Sequence, residues 1–159
     1  MSKEEVVNLY NMINGKGKQF YENGNVKYEG ELENGLKNGK GKQFYEDGNI
    51  EYDGEFKNDK RDGKGINFDE NCNVFYEGEW KNNMMNGKGK TFDEDGMLSH
   101  DGEYKNNMRN GNGKEFYYNN HLLYDGEYEN DMWHGNGKEF DNGKLSYDGK
   151  WKNGIRVVI

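Results

Sequence analysis

The chain has 159 residues and a formal net charge of −8, and this acidic balance argues against a nucleic-acid-binding protein, because phosphate is bound mainly by Lys and Arg. Its single cysteine, Cys72, excludes an internal disulfide framework, and no apolar run approaches the ~18 residues of a membrane-spanning helix. An aromatic content of 14%, with 24 Gly and no Pro, favours a thin sheet with glycine turns over a thick aliphatic core.

The first segment, residues 1–14, differs from everything that follows. It lacks the apolar run of a signal peptide, so we expect a protein of the reducing cytoplasm. Glu4, Glu5, Val6, Val7 and Tyr10 fit an amphipathic helical turn. We predict that this segment is an N-terminal cap of the repeats.

From residue 15 the sequence repeats itself every 24 residues. The motif Gly-x-Gly begins at Gly15, Gly39, Gly63, Gly87, Gly111 and Gly135, and a Phe follows three residues after each second glycine. A second motif, aromatic-acid-Gly-Glu-aromatic or aliphatic, begins at Tyr28, Tyr52, Tyr76, His100 and Tyr124. Its sixth copy begins at Tyr147 and has Lys150 in place of Glu.

Each unit contains two segments with the period-2 alternation of a half-buried strand. Glu-Asp-Gly and its equivalents separate the two strands, and Asn-rich loops such as residues 58–62 link one unit to the next. The predicted fold is all-β: an elongated single antiparallel β-meander of six hairpin repeats over residues 15–154. Residues 155–159 are predicted as a C-terminal strand or cap.

The hairpin turns fix the predicted register. A three-residue loop at residues 46–48, with Gly48 in the left-handed region, pairs Phe44 with Ile50. The sixth unit is one residue shorter, and a two-residue Asn142-Gly143 turn again pairs Phe140 with Leu145. Since the shorter unit keeps the pair, we expect one apolar face that holds the Phe, aliphatic and Tyr columns together.

This register also assigns the charged residues. Lys42 and its equivalents are expected on the apolar face, with their stems along rings of the Tyr52 type. The carboxylates of the second motif are expected on the other face.

The stretch Tyr-Glu-Gly-Glu-Trp-Lys-Asn at residues 76–82, followed by Asn-Gly-Lys-Gly at 86–89, resembles the MORN repeat (membrane occupation and recognition nexus). Residues 20–30 resemble the variant of bacterial and viral proteins, including toxin-neutralising members. The resemblance covers about residues 15–154. It implies a sheet of hairpins with an aromatic-lined groove and a role in protein binding, scaffolding or membrane association.

Nothing in the sequence predicts an enzyme, a metal site or a cofactor. Paired carboxylates such as Glu29 and Glu31 recur in every unit, which a single active site does not require. The three histidines lack metal-ligand spacing, and Gly-Lys-Gly-Lys-Thr at residues 87–91 lacks the earlier glycine of a phosphate loop. Both patterns are better explained by structure.

We therefore predict a non-catalytic protein-binding module, such as an antitoxin, an immunity protein or a scaffold, that binds a partner with a basic surface. The predicted binding groove is lined by Tyr52, Phe56, Tyr76, Trp80, Tyr104, Tyr124, Tyr128, Trp133 and Trp151. The rings are equally explained as a structural layer, because a single sheet has no second layer to cover them. A membrane-associated scaffold is the alternative function, and a homodimer through the sheet edge is a further expectation.

Overall fold

The computed structural model describes residues 14–158 and is almost entirely strand. The thirteen strands are β1 (Gly15–Phe20), β2 (Val26–Glu33), β3 (Leu36–Phe44), β4 (Ile50–Lys57), β5 (Lys60–Phe68), β6 (Val74–Lys81), β7 (Met84–Phe92), β8 (Leu98–Lys105), β9 (Met108–Tyr117), β10 (His121–Glu129), β11 (Met132–Asp141), β12 (Lys144–Lys152) and β13 (Ile155–Val157). A single 3₁₀ turn, Tyr118–Asn120, is the only helical element within the described residues. None of their helical segments is long and apolar enough to cross a membrane.

The strands form one sheet in which each strand lies beside its neighbours in sequence. All pairs of neighbouring strands with an assigned register are antiparallel, which confirms the predicted all-β meander of hairpins. The predicted N-terminal cap falls almost wholly outside the described residues. The chain divides into two compact units, the first reaching to Val74 with Trp80–Asn83, the second formed by Phe75–Glu79 and the residues from Met84 onward.

Two-residue turns link one hairpin to the next. Both residues of each turn have positive φ, as at Asn58 (48°) and Asp59 (65°), which is the pattern of a type I′ turn. Asn and Asp tolerate this left-handed backbone better than most residues. The predicted five-residue linker at 58–62 is therefore wrong: residues 60–62 already belong to β5.

The hairpin tips confirm the predicted turn chemistry. In the second hairpin Tyr45 pairs with Asn49 around three residues, and Gly48 has φ 95°. Phe44 lies opposite Ile50, and in the sixth hairpin Phe140 lies opposite Leu145, as predicted. Cys72 occupies the position of Gly48 in the third hairpin with φ 65°, a conformation that costs an L-residue about 1 kcal/mol.

A β-bulge beside the hairpin tip changes which side chains share a face of the sheet. Gln43 lies opposite Tyr52, and Glu51 is the extra residue of β4. The Gln43 side chain bonds Glu51 (2.7 Å) on the face that holds Tyr52. Because side chains alternate along a strand, Phe44 lies on the opposite face. The predicted sharing of one face by the Phe and Tyr columns is wrong, since the bulge absorbs one residue between them.

A second irregularity lies where each hairpin joins the next. Between two paired positions β2 has only Glu31, whereas β3 has Asn38, Gly39 and Lys40. Gly39 has φ 91°, and the Glu31 carboxylate fills the space that a Cβ at Gly39 would take. A glycine is therefore required at the first position of this Gly-x-Gly.

The glutamate at this junction also has a bonding role. In later repeats its carboxylate accepts the backbone N–H of the residue between the two glycines, as Glu103 does from Asn112 (2.7 Å) and Glu127 from Asn136 (3.1 Å). In the last repeat Lys150 occupies the position, and the strand paired with it there, β13, has Val157 opposite it in place of a Gly-x-Gly. The backbone turn that the glutamate bonds in earlier repeats is therefore not formed at this position.

Candidate functional site: the ring face and the hairpin tips

Four of the six repeats place one tyrosine flat over a pair of glycines, on the side of the sheet that we call the ring face. The Tyr52 hydroxyl donates to the Glu55 carbonyl oxygen three residues along its own strand (3.1 Å). Gly54 and Gly65 lie opposite each other beneath the ring, and a Cβ at Gly54 would come within 2.6 Å of the hydroxyl oxygen. Only glycine pairs leave room for the ring.

The same arrangement recurs along the chain. It is formed by Tyr28, Tyr52, Tyr76 and Tyr124, each donating to a backbone carbonyl three residues ahead, and Tyr147 makes the same hydrogen bond over Gly149 alone. Burial raises the pKa of Tyr28 and of Tyr124 to about 12. These hydroxyls therefore stay protonated at neutral pH and act as hydrogen-bond donors.

In the first of the two compact units, the rings form a ladder of edge-to-face contacts. Phe56 stands between Tyr28 and Tyr52, with ring centroids 5.3 and 5.1 Å away, and Trp80 follows Tyr52 at 5.5 Å. All interplanar angles lie between 84 and 88°. This geometry is favourable for aromatic pairs, so the ladder replaces the missing second layer of the sheet.

The second unit has its own ladder. Tyr104 contacts Tyr76 at 5.3 Å, and Tyr124 contacts Tyr128 at 5.2 Å, again edge to face. Trp133 differs, because it stacks parallel on Tyr124 at 4.4 Å. Trp151 then meets Trp133 edge to face at 4.8 Å.

The nine residues predicted to line a binding groove all belong to these two ladders. Eight of them are buried, with at most 7% of their surface exposed, and only Trp133 is partly exposed. The surface of these rings is buried inside the protein, so a partner on this face would contact the side chains that cover the rings. The partner-binding role of these residues stays a prediction.

Several side chains that stand two positions before the first glycine of Gly-x-Gly lie above the rings. These cover residues are Lys37, Arg61, Arg109 and Trp133, and in the last repeat Arg156 also lies over rings. The Lys37 ammonium lies 5.3 Å from the Tyr28 ring centre, and the Arg61 guanidinium lies 4.8 Å from that of Tyr52. Such cation–π contacts cover the rings, and burial beside them lowers the pKa of Lys37.

Lys42 does not take this position, so the prediction that it lies along the Tyr52 ring is wrong. Its ammonium pairs with Asp53 (3.2 Å) on the reverse face. The cover residues were missed because they belong to the segment interpreted as a loop. Their signal was a large or cationic side chain recurring at the 24-residue step.

A polar network holds the covers of the second unit. Glu115 accepts hydrogen bonds from the Tyr128 hydroxyl (3.0 Å) and the Trp133 indole N–H (2.8 Å). Arg109 forms an ion pair with the same carboxylate (3.2 Å). A carboxylate with three such partners fixes the positions of both cover residues.

His100 is the exception in the tyrosine column. It is 1% exposed, its Nδ1 lies 2.8 Å from the Tyr104 hydroxyl, and its Nε2 has no hydrogen-bond partner. Burial, with Arg109 nearby, lowers its pKa to about 4. The imidazole is too short to reach the Glu103 carbonyl that a tyrosine would bond. The fourth repeat therefore lacks the hydrogen bond that stabilises its neighbours.

The reverse face is almost balanced in charge. Its central carboxylates pair with lysines of the neighbouring strand: Glu29 with Lys18, Asp53 with Lys42, Asp101 with Lys90, Asp125 with Lys114 and Asp148 with Lys138. These pairs are about half exposed and contribute little stability each. Their effect is to cancel the acidic rows that the sequence predicted for this face.

The net negative charge is instead concentrated at the hairpin tips. In the first unit, tip 1 (residues 21–25), tip 2 (45–49) and tip 3 (69–73) carry five carboxylates and no Lys or Arg. In the second unit, tip 4 (residues 93–97) carries three and again no Lys or Arg. A charge count per segment would have found this in the sequence.

Hydrogen bonds between successive tips of the first unit hold these carboxylates in place. Asn23 and Asn25 donate to the Glu46 carbonyl (3.1 and 2.9 Å), and Asn49 donates to the Glu70 carbonyl (3.2 Å). The Tyr45 hydroxyl donates to the Phe68 carbonyl (2.9 Å). The tips are thus fixed in a row, with their acidic side chains in solvent.

The described residues offer no constellation for catalysis or metal binding. Within residues 14–158 there is no group of three or more His, Cys, Asp or Glu side chains that would hold a metal ion. His121 and His134 lie in separate hairpins, and Cys72 is exposed at tip 3. The surfaces available for function are the covered ring face, the balanced reverse face and the tips.

Family models identify this pattern. The MORN repeat model matches residues 28–50, 52–66, 76–97, 100–121, 124–144 and 147–158, and the MORN repeat variant model matches residues 13–34. A search of curated proteins gives no significant match. The models match far more than half of the chain, and their copies follow the hairpins described above. The chain belongs to the MORN repeat family.

Proposed function

We propose that this chain is a protein-binding module whose acidic hairpin tips contact a partner with a basic surface. MORN repeats are non-catalytic modules that typically bind proteins or membranes. The observation that carries the proposal is the segregation of charge: tips 1–4 hold eight carboxylates and no Lys or Arg. Segregated charge steers an oppositely charged partner and speeds association.

The tips support the proposal better than the ring face does. The ladder rings are buried under cover residues, several of them cationic, which suits a basic partner poorly. On the reverse face the carboxylates already have lysine partners. Glu22, Glu46 and Glu70 are exposed at successive tips of the first unit.

In its finer form, the proposal is a cytoplasmic antitoxin, immunity protein or scaffold that neutralises or holds a basic protein. A homodimer through the sheet edge belongs to the same set of proposals, because Ile155 and Val157 on the short strand β13 are exposed.

The test compares two variants of equal charge. Glu22→Gln/Glu46→Gln/Glu70→Gln neutralises three tips, and Glu29→Gln/Asp53→Asn/Asp101→Asn neutralises three carboxylates of the reverse face. A protein captured from the native host is purified, and its affinity for each variant is measured at 50 and 200 mM salt.

We expect the tip variant to lose at least tenfold in affinity and to show a weaker salt dependence. The reverse-face variant should bind like the parent within about threefold. Equal losses in the two variants would show that only total charge matters and would refute the assignment to the tips.

The alternative is a membrane-associated scaffold, the other activity of the family. The tip charge opposes it, because anionic lipid attracts Lys and Arg and repels carboxylates. Co-sedimentation with vesicles of phosphatidylcholine and phosphatidylserine at 4:1 distinguishes the two functions. Sedimentation of the chain with these vesicles would favour the membrane function over ours.

A further inference from the structure

The tip of the fifth hairpin, tip 5 (residues 118–120), differs from the first four. It lacks their carboxylates, and it forms the short 3₁₀ turn Tyr118–Asn120 instead of a glycine turn. Two consecutive tyrosines stand at it: Tyr117 is 54% exposed and Tyr118 is 75% exposed. In a chain that is 33% charged, two consecutive exposed tyrosines are an unusual apolar feature.

The same column of the repeat shows that this exposure is not required by the fold. Tyr21 and Tyr45 follow Phe20 and Phe44 just as Tyr117 follows Phe116. Each of those two tyrosines is partly buried, and each donates its hydroxyl to a carbonyl of the next hairpin, at 2.7 Å for Tyr21 and 2.9 Å for Tyr45. Tyr117 is the most exposed of the three.

The surroundings of tip 5 indicate the chemistry of an occupant. On one side lies tip 4, where Glu94 and Asp95 are exposed without a Lys or Arg in the tip, whereas on the other side Asp141 lies opposite Lys144. Neighbouring tips are two strands apart, which is ~10 Å. Three residues of an extended peptide cover the same distance.

We propose that the Tyr117–Tyr118 pair is the anchor of the interaction surface and takes an arginine-containing extended segment of a partner protein. The two rings offer faces on which a guanidinium stacks, and the carboxylates of tip 4 pair with a basic residue about three positions away. Tyrosine is a frequent anchor of protein interfaces because it adds a large rigid area and a hydroxyl. This inference rests on the proposed function and names the chemistry that its partner presents.

Arginine and lysine peptides of equal charge separate ring stacking from plain charge attraction. The probes are two fluorescein-labelled synthetic dodecapeptides in which Gly and Ser separate four basic residues, all Arg in one and all Lys in the other. Binding is measured by fluorescence anisotropy with the full chain, with Tyr117→Ser/Tyr118→Ser, and with the matched control Glu94→Gln/Asp95→Asn.

We expect the parent chain to bind the arginine peptide at least fivefold more tightly than the lysine peptide. The tyrosine variant should lose this preference and about tenfold in affinity for the arginine peptide. The carboxylate control should bind both peptides more weakly, by the same factor, and should keep the preference for the arginine peptide. Because all four substituted side chains are mainly exposed, thermal unfolding midpoints should match that of the parent.

Each other outcome is decisive. If the parent binds both peptides equally, or if the tyrosine variant keeps the arginine preference, the anchor is refuted while the acidic tips stand as the binding surface. If the parent binds neither peptide at 50 mM salt, both the anchor and the basic-partner proposal are refuted.

Discussion

The inner half of each repeat and its hairpin tip are formed by the same strands, but they differ in how well they tolerate amino-acid substitutions. In the inner half, Tyr124 fills the space over Gly126 and Gly137, and a methyl group at either glycine would overlap the ring. At the tips, Gly48 is replaced by Cys72 in the third hairpin and by a 3₁₀ turn in the fifth, and the strands still pair. Packing fixes the inner half, whereas solvent surrounds the tips.

This difference shows where the repeat can carry a specific function. A change over the glycine pair costs stability, so the ring face is nearly the same in every hairpin. A change at a tip alters charge and exposed area at little cost, and the tips do vary, from acidic at residues 93–97 to aromatic at Tyr117 and Tyr118. The following predictions test the contrast, beginning with the largest effect.

Gly126→Ala should destabilise the protein most. Its Cβ would lie 2.5 Å from the Gly137 Cα and 2.6 Å from the Tyr124 hydroxyl oxygen, so the ring and a neighbouring strand must both move. We expect a loss of about 3 kcal/mol in the free energy of unfolding, measured by urea denaturation.

The matched control is Gly143→Ala in the two-residue turn of the sixth hairpin. Gly143 has φ 76° and no atom within 4 Å of its ideal Cβ, so only the backbone preference is lost. We expect a cost of about 1 kcal/mol. If the two substitutions cost the same, ring packing over the glycines is not what fixes the inner half.

His100 should make stability depend on pH. Because burial lowers its pKa in the folded protein to about 4, the folded state favours the neutral ring, whereas the unfolded chain takes up a proton below about 6.5. Its contribution to the free energy of unfolding is therefore fully present above pH 6.5. This contribution is lost as the pH falls towards 4, by about 3 kcal/mol in total. Charged groups on neighbouring strands, Arg109 and Glu115, act on it in opposite directions.

Urea denaturation at pH 7.0, 6.0, 5.0 and 4.5 measures this loss. The control is His100→Tyr, which restores the hydroxyl donor found at Tyr76 and Tyr124 and removes the titrating group. We expect the control to be about 1 kcal/mol more stable at pH 7 and to have a flatter pH profile. Identical profiles for the two proteins would contradict the role assigned to His100.

Glu103→Ala should have a smaller effect. The substitution removes the acceptor of the Asn112 N–H bond at 2.7 Å, and we expect a loss of about 1 kcal/mol. Lys150→Ala, at the same position of the last repeat, should change stability by less than about 0.5 kcal/mol, because that side chain is exposed and lies opposite Val157 instead of a Gly-x-Gly. Thermal unfolding of both variants measures the difference, and a larger loss at Lys150 would contradict the bonding role of the glutamate.

Much of the fold could be predicted from local sequence. The 24-residue period can be read directly from the sequence, and the turn at residues 46–48 and the Asn142-Gly143 turn depend on residues within six positions of one another. Turn chemistry and strand alternation operate at that range, so the Phe–aliphatic pairs were predicted correctly.

The faces could not be predicted in the same way. Whether Glu51 forms a bulge depends on its contacts with the neighbouring strands, where Gln43 and Arg61 donate hydrogen bonds to its carboxylate. One absorbed residue moved the Phe column to the reverse face, placed Lys42 beside Asp53 and left Lys37 and Arg61 to cover the rings. The candidate groove was misjudged for the same reason, since burial depends on neighbours one or two strands away.

The sequence by itself thus determined the repeat, its hairpins and the family, because those follow from backbone preferences of nearby residues. Only the tertiary structure decided which side chains share a face, which of them are covered and where the negative charge is exposed. These properties depend on register between strands that are adjacent in space, and a bulge of one residue is enough to reverse them.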